Sequence, residues 1–234
     1  MEILHLSSQF RHVKELPPIS INNTQIYSSK IVRNLGVNLD NHLSLRSQVN
    51  TVCRKASLAL RGINKVRRFL SKSSTEILIH AFISSLLDNC NSLLIGINDK
   101  DIAKLQRIQN SAARLVSLRK KREHITPILK ELHWLPVKSR IQFKIILLTY
   151  KSLHGQSPEY LSELIIPYVP ARSLRSASEN LLVVKRGRTK AYGDRAFSCV
   201  APLLWNSLPN SLRSQSNINV FKTQLKTYLF NNAY

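Results

Sequence analysis

The spacing of the carboxylates decides what chemistry this chain could perform. Asp40 closes the run KIVRNLGVNLD (residues 30–40), and a carboxylate at the end of a strand is a common metal ligand or general base. Two-metal phosphoryl transfer needs at least two close carboxylates to hold divalent ions. The 13 acidic residues are scattered, and the nearest pair, Asp99 and Asp101, suits the start of a helix. We therefore predict no catalytic residue and no metal site.

Other catalytic and cofactor signatures are absent from the sequence. The chain contains no phosphate-binding glycine loop, no GxSxG and no HExxH, and it has only 6 glycines. Cys53, Cys90 and Cys199 lie far apart, with no CxxC pair and no histidine at finger-like spacing. This usage favours buried thiols in a reducing compartment. We expect no enzymatic activity from the chain by itself and no cofactor.

The charge of the chain is far from balanced. Lys and Arg number 35 against 13 Asp and Glu, a formal net charge of +22. Such an excess of positive charge destabilises the folded state, because the cations repel one another. It also favours a polyanion partner, either nucleic acid or an anionic membrane face. The most apolar stretches are too short or too polar to span a bilayer, and the N-terminus lacks the ordered regions of a signal peptide. We expect an intracellular protein, nuclear or cytoplasmic, that binds nucleic acid and no membrane.

The pattern of apolar residues predicts a mainly α protein of the α+β class in three parts. Residues 1–40 are predicted to form short strands, with a hairpin turn at residues 22–24 and a third strand over residues 32–39. Residues 41–122 are predicted to form a helical bundle. Residues 123–234 are predicted to be a basic region that is mixed but mostly helical.

The first helix, predicted over residues 45–70, carries cations along one side. Its apolar residues recur at steps of three and four, which makes one buried face. The other side carries Arg46, Arg54, Arg61, Lys65, Arg68 and Lys72. Acidic residues are absent between Asp40 and Glu76, so the stripe forgoes the opposite-charge i,i+4 pairs that stabilise solvated helices. Such a stripe is a candidate phosphate contact, and a solvated face is the plainer alternative.

Two further basic segments are candidate nucleic-acid contacts. The run Arg119, Lys120, Lys121 and Arg122 follows the third helix, and it could be a localisation signal, a phosphate clamp or a solvated tail. A Ser- and Arg-rich stretch from residue 167 to 195 carries Arg172, Arg175, Lys185, Arg186, Arg188 and Lys190. This second assignment rests on charge alone. A folded core with a basic exterior explains the C-terminal third equally well.

Local signals predict where helices begin. Ser73 and Glu76 fit a capping box at the start of a second helix. Its apolar residues cover most of the circumference, which predicts a buried helix. Asn98 is the predicted cap of the third helix. In the C-terminal third, Asp194 and Asn217 are the predicted caps of two more.

Five ordered blocks carry a resemblance to a known family. They are VRNLGVNLDNHLSLRSQV, IHAFISSLLDNCNSLLIG, LQRIQNSAARLV, HITPILKELHWLPVKSRIQFKIILLTYKSLHG and AYGDRAFSCVAPLLWNSLP. Together the blocks resemble the C-terminal part of the reverse transcriptase of LINE-type, non-LTR retrotransposons of the Jockey-like kind, from about Ile3 to Tyr234. The resemblance implies that residues 1–40 are a palm edge with Leu35 and Gly36 at the primer grip. It implies a thumb over residues 41–122, centred on residues 45–116, that holds the template–primer duplex.

The chain departs from this family at the polymerase motif. The family carries an aromatic-x-Asp-Asp turn and an earlier aspartate upstream of the grip, and this chain has no Asp-Asp pair. We expect a fragment whose Met1 was once internal, and which binds the template–primer backbone, RNA or DNA, without sequence specificity. One alternative is a subunit of an active RNA-directed DNA polymerase, completed by a partner that supplies the missing palm and fingers. The other is an inert or structural basic protein. In the family context Asp40 closes the grip strand and complements the dipole of the next helix.

Overall fold

The computed structural model describes residues 2–7, 17–21, 23–170, 172, 179–187, 189 and 192–234. Helices dominate within these ranges and the strands are short, so the predicted mainly α, α+β class is confirmed. The chain divides into two compact units. The first unit comprises Met1–Cys90 and Ile97–Glu123, and the second comprises Asn91–Gly96 and His124–Tyr234. The three-part division drawn from the sequence stays a prediction.

The strands of the first unit form two-stranded pairs. They are β1 (Ile3–Leu4), β2 (Ile19–Ile21), β3 (Thr24–Ile26), β4 (Ser28–Ser29), β5 (Ile31–Asn34) and β6 (Val37–Asp40). β1 pairs with β4 in parallel, while β2 with β3 and β5 with β6 are antiparallel. The predicted hairpin at residues 22–24 joins β2 to β3, although Asn22 lies outside the described residues. Asn23 adopts a φ of 59°, which asparagine tolerates well.

The predicted single strand over residues 32–39 is wrong, because this segment is a second hairpin. Leu35 and Gly36 form its two-residue loop, with φ values of 46° and 84°. Two consecutive positive φ values are typical of the type I′ turn, whose twist matches that of the flanking strands. The hairpin packs on the first helix, where the buried Val37 side chain and two hydrogen bonds from Asn38 anchor it. The Asn38 backbone N–H donates to Gln48 Oε1 at 3.0 Å, and its side-chain amide donates to Thr51 Oγ1 at 3.1 Å.

Among the described residues, four α-helices and two irregular turns complete the first unit. α1 spans Arg46–Val66 and leads into a 3-10 turn at Arg67–Phe69. α2 (Lys72–Ile79) continues through a π-helical turn (His80–Ser84) into α3 (Ser85–Asp88), and α4 spans Asp99–Ser117. α1 and α4 pack side by side around fully buried Val49, Ala56, Leu105 and Ala113.

Two expectations for the second predicted helix are wrong. Ser71, rather than Ser73, caps α2, because the Ser74 backbone N–H donates to Ser71 Oγ at 3.0 Å. The segment is also only partly buried, since Ile77 is 65% exposed and Phe82 is 54% exposed. Its buried face consists of Thr75, Ile79, Ile83 and Leu87, while Leu78 and Leu86 are half-buried.

The second unit is built on the long helix α6. Its helices are α5 (Ile125–Glu131), α6 (Val137–Leu153), α7 (Glu159–Ser162), α8 (Phe197–Asn206), α9 (Asn210–Arg213) and α10 (Ile218–Ala233). α8 and α10 pack on α6, and in the core Phe221 stacks on Tyr150 and lies at a tilt beside Trp205. Asn98 and Asn217 cap α4 and α10 as predicted. The predicted cap Asp194 is wrong: it lies in a 3-10 turn (Gly193–Arg195), and α8 begins without a side-chain cap. None of the helices along the described ranges combines the length and apolar composition that crossing a membrane requires.

Candidate nucleic-acid interface

The outward side of α1 presents a row of cations, which we term the α1 cationic surface. It consists of Arg54, Arg61 and Lys65 on the helix and Arg68 in the 3-10 turn that follows, all of them exposed. At 100° per residue, the three helical cations lie within about 40° of arc and extend over about 16 Å. Val49 and Ile63, on the opposite side, are buried. The packing of α1 therefore directs these three charges away from the core.

The predicted stripe loses two of its members to other roles. Lys72 does not lie on α1, because the helix ends at Val66 and Lys72 begins α2. Arg46 Nε lies 3.6 Å from Asp101 Oδ2, and the same buried carboxylate holds Lys104 Nζ at 2.8 Å. Within the part of the chain that the structure describes, the three helical cations of the α1 cationic surface have no ion pair. These three side chains are therefore available to an external anion.

The RKKR run lies at the same end of the α1–α4 pair as Arg68. Arg67 Nη2 donates to the carbonyl of Val116 in the last turn of α4 at 3.1 Å, and the run begins three residues beyond that carbonyl. All four basic residues are exposed. Glu123 organises the turn by accepting from the Lys120 backbone N–H at 2.7 Å and by pairing with Arg119 at 3.4 Å. The run is therefore a turn in which one carboxylate offsets part of the charge.

The third predicted set belongs to the second unit. Arg172, Lys185 and Arg186 are exposed. Arg175, Arg188 and Lys190 lie outside the described residues. The structure thus joins the α1 cationic surface and the RKKR run in one unit and assigns the residues of the 167–195 stretch to the other.

The predicted grip residues form the tip of the β5–β6 hairpin. Leu35 is 92% exposed at a φ of 46°, and Gly36 follows at a φ of 84°. A leucine in the left-handed region costs roughly 1–2 kcal/mol relative to ordinary backbone, and full exposure returns no packing energy. The tip is therefore a surface feature of the first unit, held on α1 by Asn38.

Asp40 has a structural role at the start of α1. Its carboxylate accepts from the Ser44 backbone N–H at 3.0 Å and from the Leu45 backbone N–H at 2.7 Å. Burial opposes ionisation of Asp40, but these hydrogen bonds together outweigh it and lower its pKa. Across the described ranges, no group of three or more His, Cys, Asp or Glu side chains is placed to hold a metal ion.

Cys53, which lies in α1, lacks the environment of a reactive nucleophile. Burial raises its pKa, and the opposing attraction of Lys104 and Arg107 for the thiolate is smaller. A raised pKa keeps the sulfur protonated at neutral pH, and the protonated thiol is the unreactive form.

Several arginines stabilise the fold and are unavailable to a ligand. Arg67 is 7% exposed and donates to three carbonyls, those of Leu70, Leu115 and Val116. In the second unit, Arg213 is buried against the Asn206 carbonyl and Glu179, and Arg195 Nε donates to the Ile95 carbonyl at 2.9 Å. The sequence did contain a signal for Arg67, because it continues the three-and-four spacing of the buried face from Ile63.

Phe69 is a surface residue that the sequence reasoning missed. It is 74% exposed at the end of the α1 cationic surface, and the Arg68 guanidinium carbon lies 4.6 Å from its ring centroid. One signal in the sequence could have found Phe69. The buried face of α1 continues from Ile63 to Arg67, and Phe69, two residues further on, does not lie on that face.

No protein-family model, curated protein or solved structure matches the chain.

Proposed function

We propose that the first unit binds the phosphate backbone of nucleic acid along the α1 cationic surface, without sequence specificity. One observation carries this proposal: three exposed cations without an ion pair among the described residues share the side of α1 opposite its buried face. Arg and Lys side chains that contact phosphates fix the position of a protein on nucleic acid and read no sequence. We infer a nuclear or cytoplasmic location from such a partner.

The energetics of α1 support a ligand for these charges. Arg61 and Lys65 are i,i+4 neighbours of like charge, which destabilises a helix by about 0.2–0.5 kcal/mol. Nothing in the described part of the first unit offsets this repulsion, whereas Arg46 is paired with Asp101. Phosphates would remove the repulsion and release counterions, which is the main source of non-specific affinity for nucleic acid.

We further propose that the chain corresponds to the C-terminal part of a LINE-type reverse transcriptase. The five ordered sequence blocks support this origin. A hairpin with Leu35 and Gly36 at its tip, followed directly by long helices, is compatible with a primer grip and a thumb. The chain contains no Asp-Asp pair, so the proposal assigns it binding and no catalysis by itself.

The proposal is tested by measuring affinity for an RNA–DNA hybrid of mixed sequence at increasing KCl concentration. If the four cations of the α1 cationic surface each contact a phosphate, log K should fall against log[salt] with a slope of about −3.6. A duplex of unrelated sequence should give the same curve. Binding that does not respond to salt would contradict the proposal. Primer extension with this chain alone should give no product, and extension by the chain alone would contradict the non-catalytic assignment.

A further inference from the structure

The 3-10 turn after α1 presents an aromatic ring beside cations. Phe69 is 74% exposed, and Arg68 lies over its ring at 4.6 Å from the centroid. Lys65 and Arg61 continue the row of cations back along α1. Exposed aromatic rings at the end of a positively charged track are typical of surfaces that bind single-stranded nucleic acid.

Arg67 holds this turn in a fixed conformation. Its guanidinium donates to the carbonyls of Leu70, Leu115 and Val116 at 2.7–3.1 Å and is buried between α1 and α4. Successive residues of a 3-10 helix lie about 120° apart, so an inward Arg67 directs Arg68 and Phe69 outward. The ring is therefore held at the surface before any ligand binds, which reduces the entropy cost of binding.

The surroundings of the ring favour a nucleobase over an apolar protein partner. Arg68 lies over one face of the Phe69 ring, and the high exposure leaves the ring open to a second planar group. An apolar partner covering Phe69 would bury the neighbouring cations without counter-charges, which is costly. A nucleotide supplies a flat base for the ring and a phosphate for the cations.

We propose that Phe69, assisted by Arg68, stacks an unpaired base of a single strand whose phosphates follow the α1 cationic surface. This inference rests on the proposed function, because the cations supply the backbone contacts that bring the strand to the ring. It adds a substrate class: the first unit also binds nucleic acid with unpaired nucleotides, through a stacking contact that a fully paired duplex does not make. Stacking on an aromatic ring tolerates any base, so this contact reads the unpaired state of a nucleotide and not its sequence.

The experiment compares Phe69→Ala with wild type on two probes, a single-stranded oligonucleotide of mixed sequence and a long blunt-ended duplex. Loss of one stacked base should weaken single-strand binding by about 5- to 150-fold. Duplex affinity and the salt slopes of both probes should not change, because every cation remains. Phe82→Ala is the matched control, since Phe82 is also an exposed phenylalanine of the first unit, and its removal should leave both affinities unchanged.

A second variant, Phe69→Trp, keeps a stacking ring and adds a direct signal. The single strand should quench the fluorescence of the new indole, and the duplex should not. Trp134 and Trp205 are 5% and 1% exposed and will contribute a constant background. The same variant should bind the single strand at least as tightly as wild type.

Each outcome separates the two proposals. Unchanged single-strand affinity in Phe69→Ala, or an equal loss in Phe82→Ala, would overturn stacking at Phe69 and leave the α1 cationic surface standing. Wild-type protein that binds neither probe with a salt-dependent affinity would overturn both. A normal thermal melt of Phe69→Ala is expected, because the replaced ring is exposed.

Discussion

Replacing Arg54, Arg61 and Lys65 together by alanine removes the three helical cations of the α1 cationic surface. Each phosphate contact contributes about 0.9 to the slope of log K against log[salt], so the triple variant should lose about 2.7 from that slope. At ~0.1 M salt the same counterion relation gives about 8-fold affinity per contact and about 500-fold for three. Fluorescence anisotropy with a hybrid duplex over a range of KCl concentrations measures both quantities.

The fold of the triple variant should remain intact. Alanine has the highest helix propensity, and the substitution also removes the repulsion between Arg61 and Lys65. The replaced side chains are exposed and have no ion pair among the described residues, so no buried partner is lost. The thermal midpoint should therefore stay the same or rise slightly, which separates a loss of binding from a loss of structure.

A charge-matched control distinguishes direct contact from the effect of net charge. Lys138, Lys144 and Lys226 are exposed residues of the second unit, and their replacement by alanine also lowers the net charge by three. This control should keep most of the wild-type salt slope. A full slope in the α1 variant would refute the reasoning, and so would an equal drop in the control, because binding would then follow total charge.

Three further predictions concern hydrogen bonds that stabilise one unit or the other from within. Asp40→Asn should cost about 1 kcal/mol of stability, because an amide replaces a carboxylate that accepts from two backbone N–H groups. The pKa of Asp40 is lowered on folding, so the stability difference between wild type and variant should be complete above pH 3.8, the ordinary pKa of the group. The difference should vanish as the pH falls through the pKa of the folded state. Urea unfolding that shows no such pH dependence would contradict this prediction. Arg67→Lys should cost about 2–3 kcal/mol in urea unfolding, because an ammonium group cannot span three carbonyls, and a neutral result would refute the anchoring role. Tyr234→Phe should cost about 1 kcal/mol by removing the hydrogen bond to the Trp134 carbonyl. Burial raises the pKa of Tyr234 to about 12, so its contribution to wild-type stability is complete below pH 10.0 and is lost as the pH rises through the pKa of the folded state. Thermal melts of the variant should lack this loss of stability at alkaline pH. An equal loss in wild type and variant would contradict the prediction.

Features that depend on neighbouring residues were predictable. Asn98 and Asn217 cap their helices because each side chain accepts from a backbone N–H two residues later. α6 (Val137–Leu153) begins directly after Pro136 and ends shortly before Gly155, which has a φ of 64°. Proline and glycine at helix ends act through local backbone geometry, so the chain needs no tertiary contact to specify these limits.

Features for which the sequence offers competing local patterns, or which depend on distant contacts, were not predictable in the same way. Ser73 and Glu76 satisfy the pattern of a capping box, yet α2 begins two residues earlier than this pattern predicts, because the Ser71 hydroxyl accepts from the Ser74 backbone N–H. Residues 32–39 read as one strand, and the pair β5–β6 forms because Val37 and Asn38 pack on α1. A sequence pattern compares alternative structures of a segment by local propensity alone. Burial against a neighbouring helix can make a different alternative the most stable one.

The sequence by itself determined the mainly α class, the net charge of +22 and the placement of cations opposite an apolar face on the first helix. These properties follow from residue types and from the 3.6-residue repeat. Only the tertiary structure decided which cations a ligand can reach. Arg46 pairs with Asp101 and Arg67 is buried against the carbonyls of Leu115 and Val116, contacts that exist because α1 packs along α4. Charge is a property of each side chain, but its availability depends on partners about fifty residues away, and packing alone brings those partners within hydrogen-bonding distance.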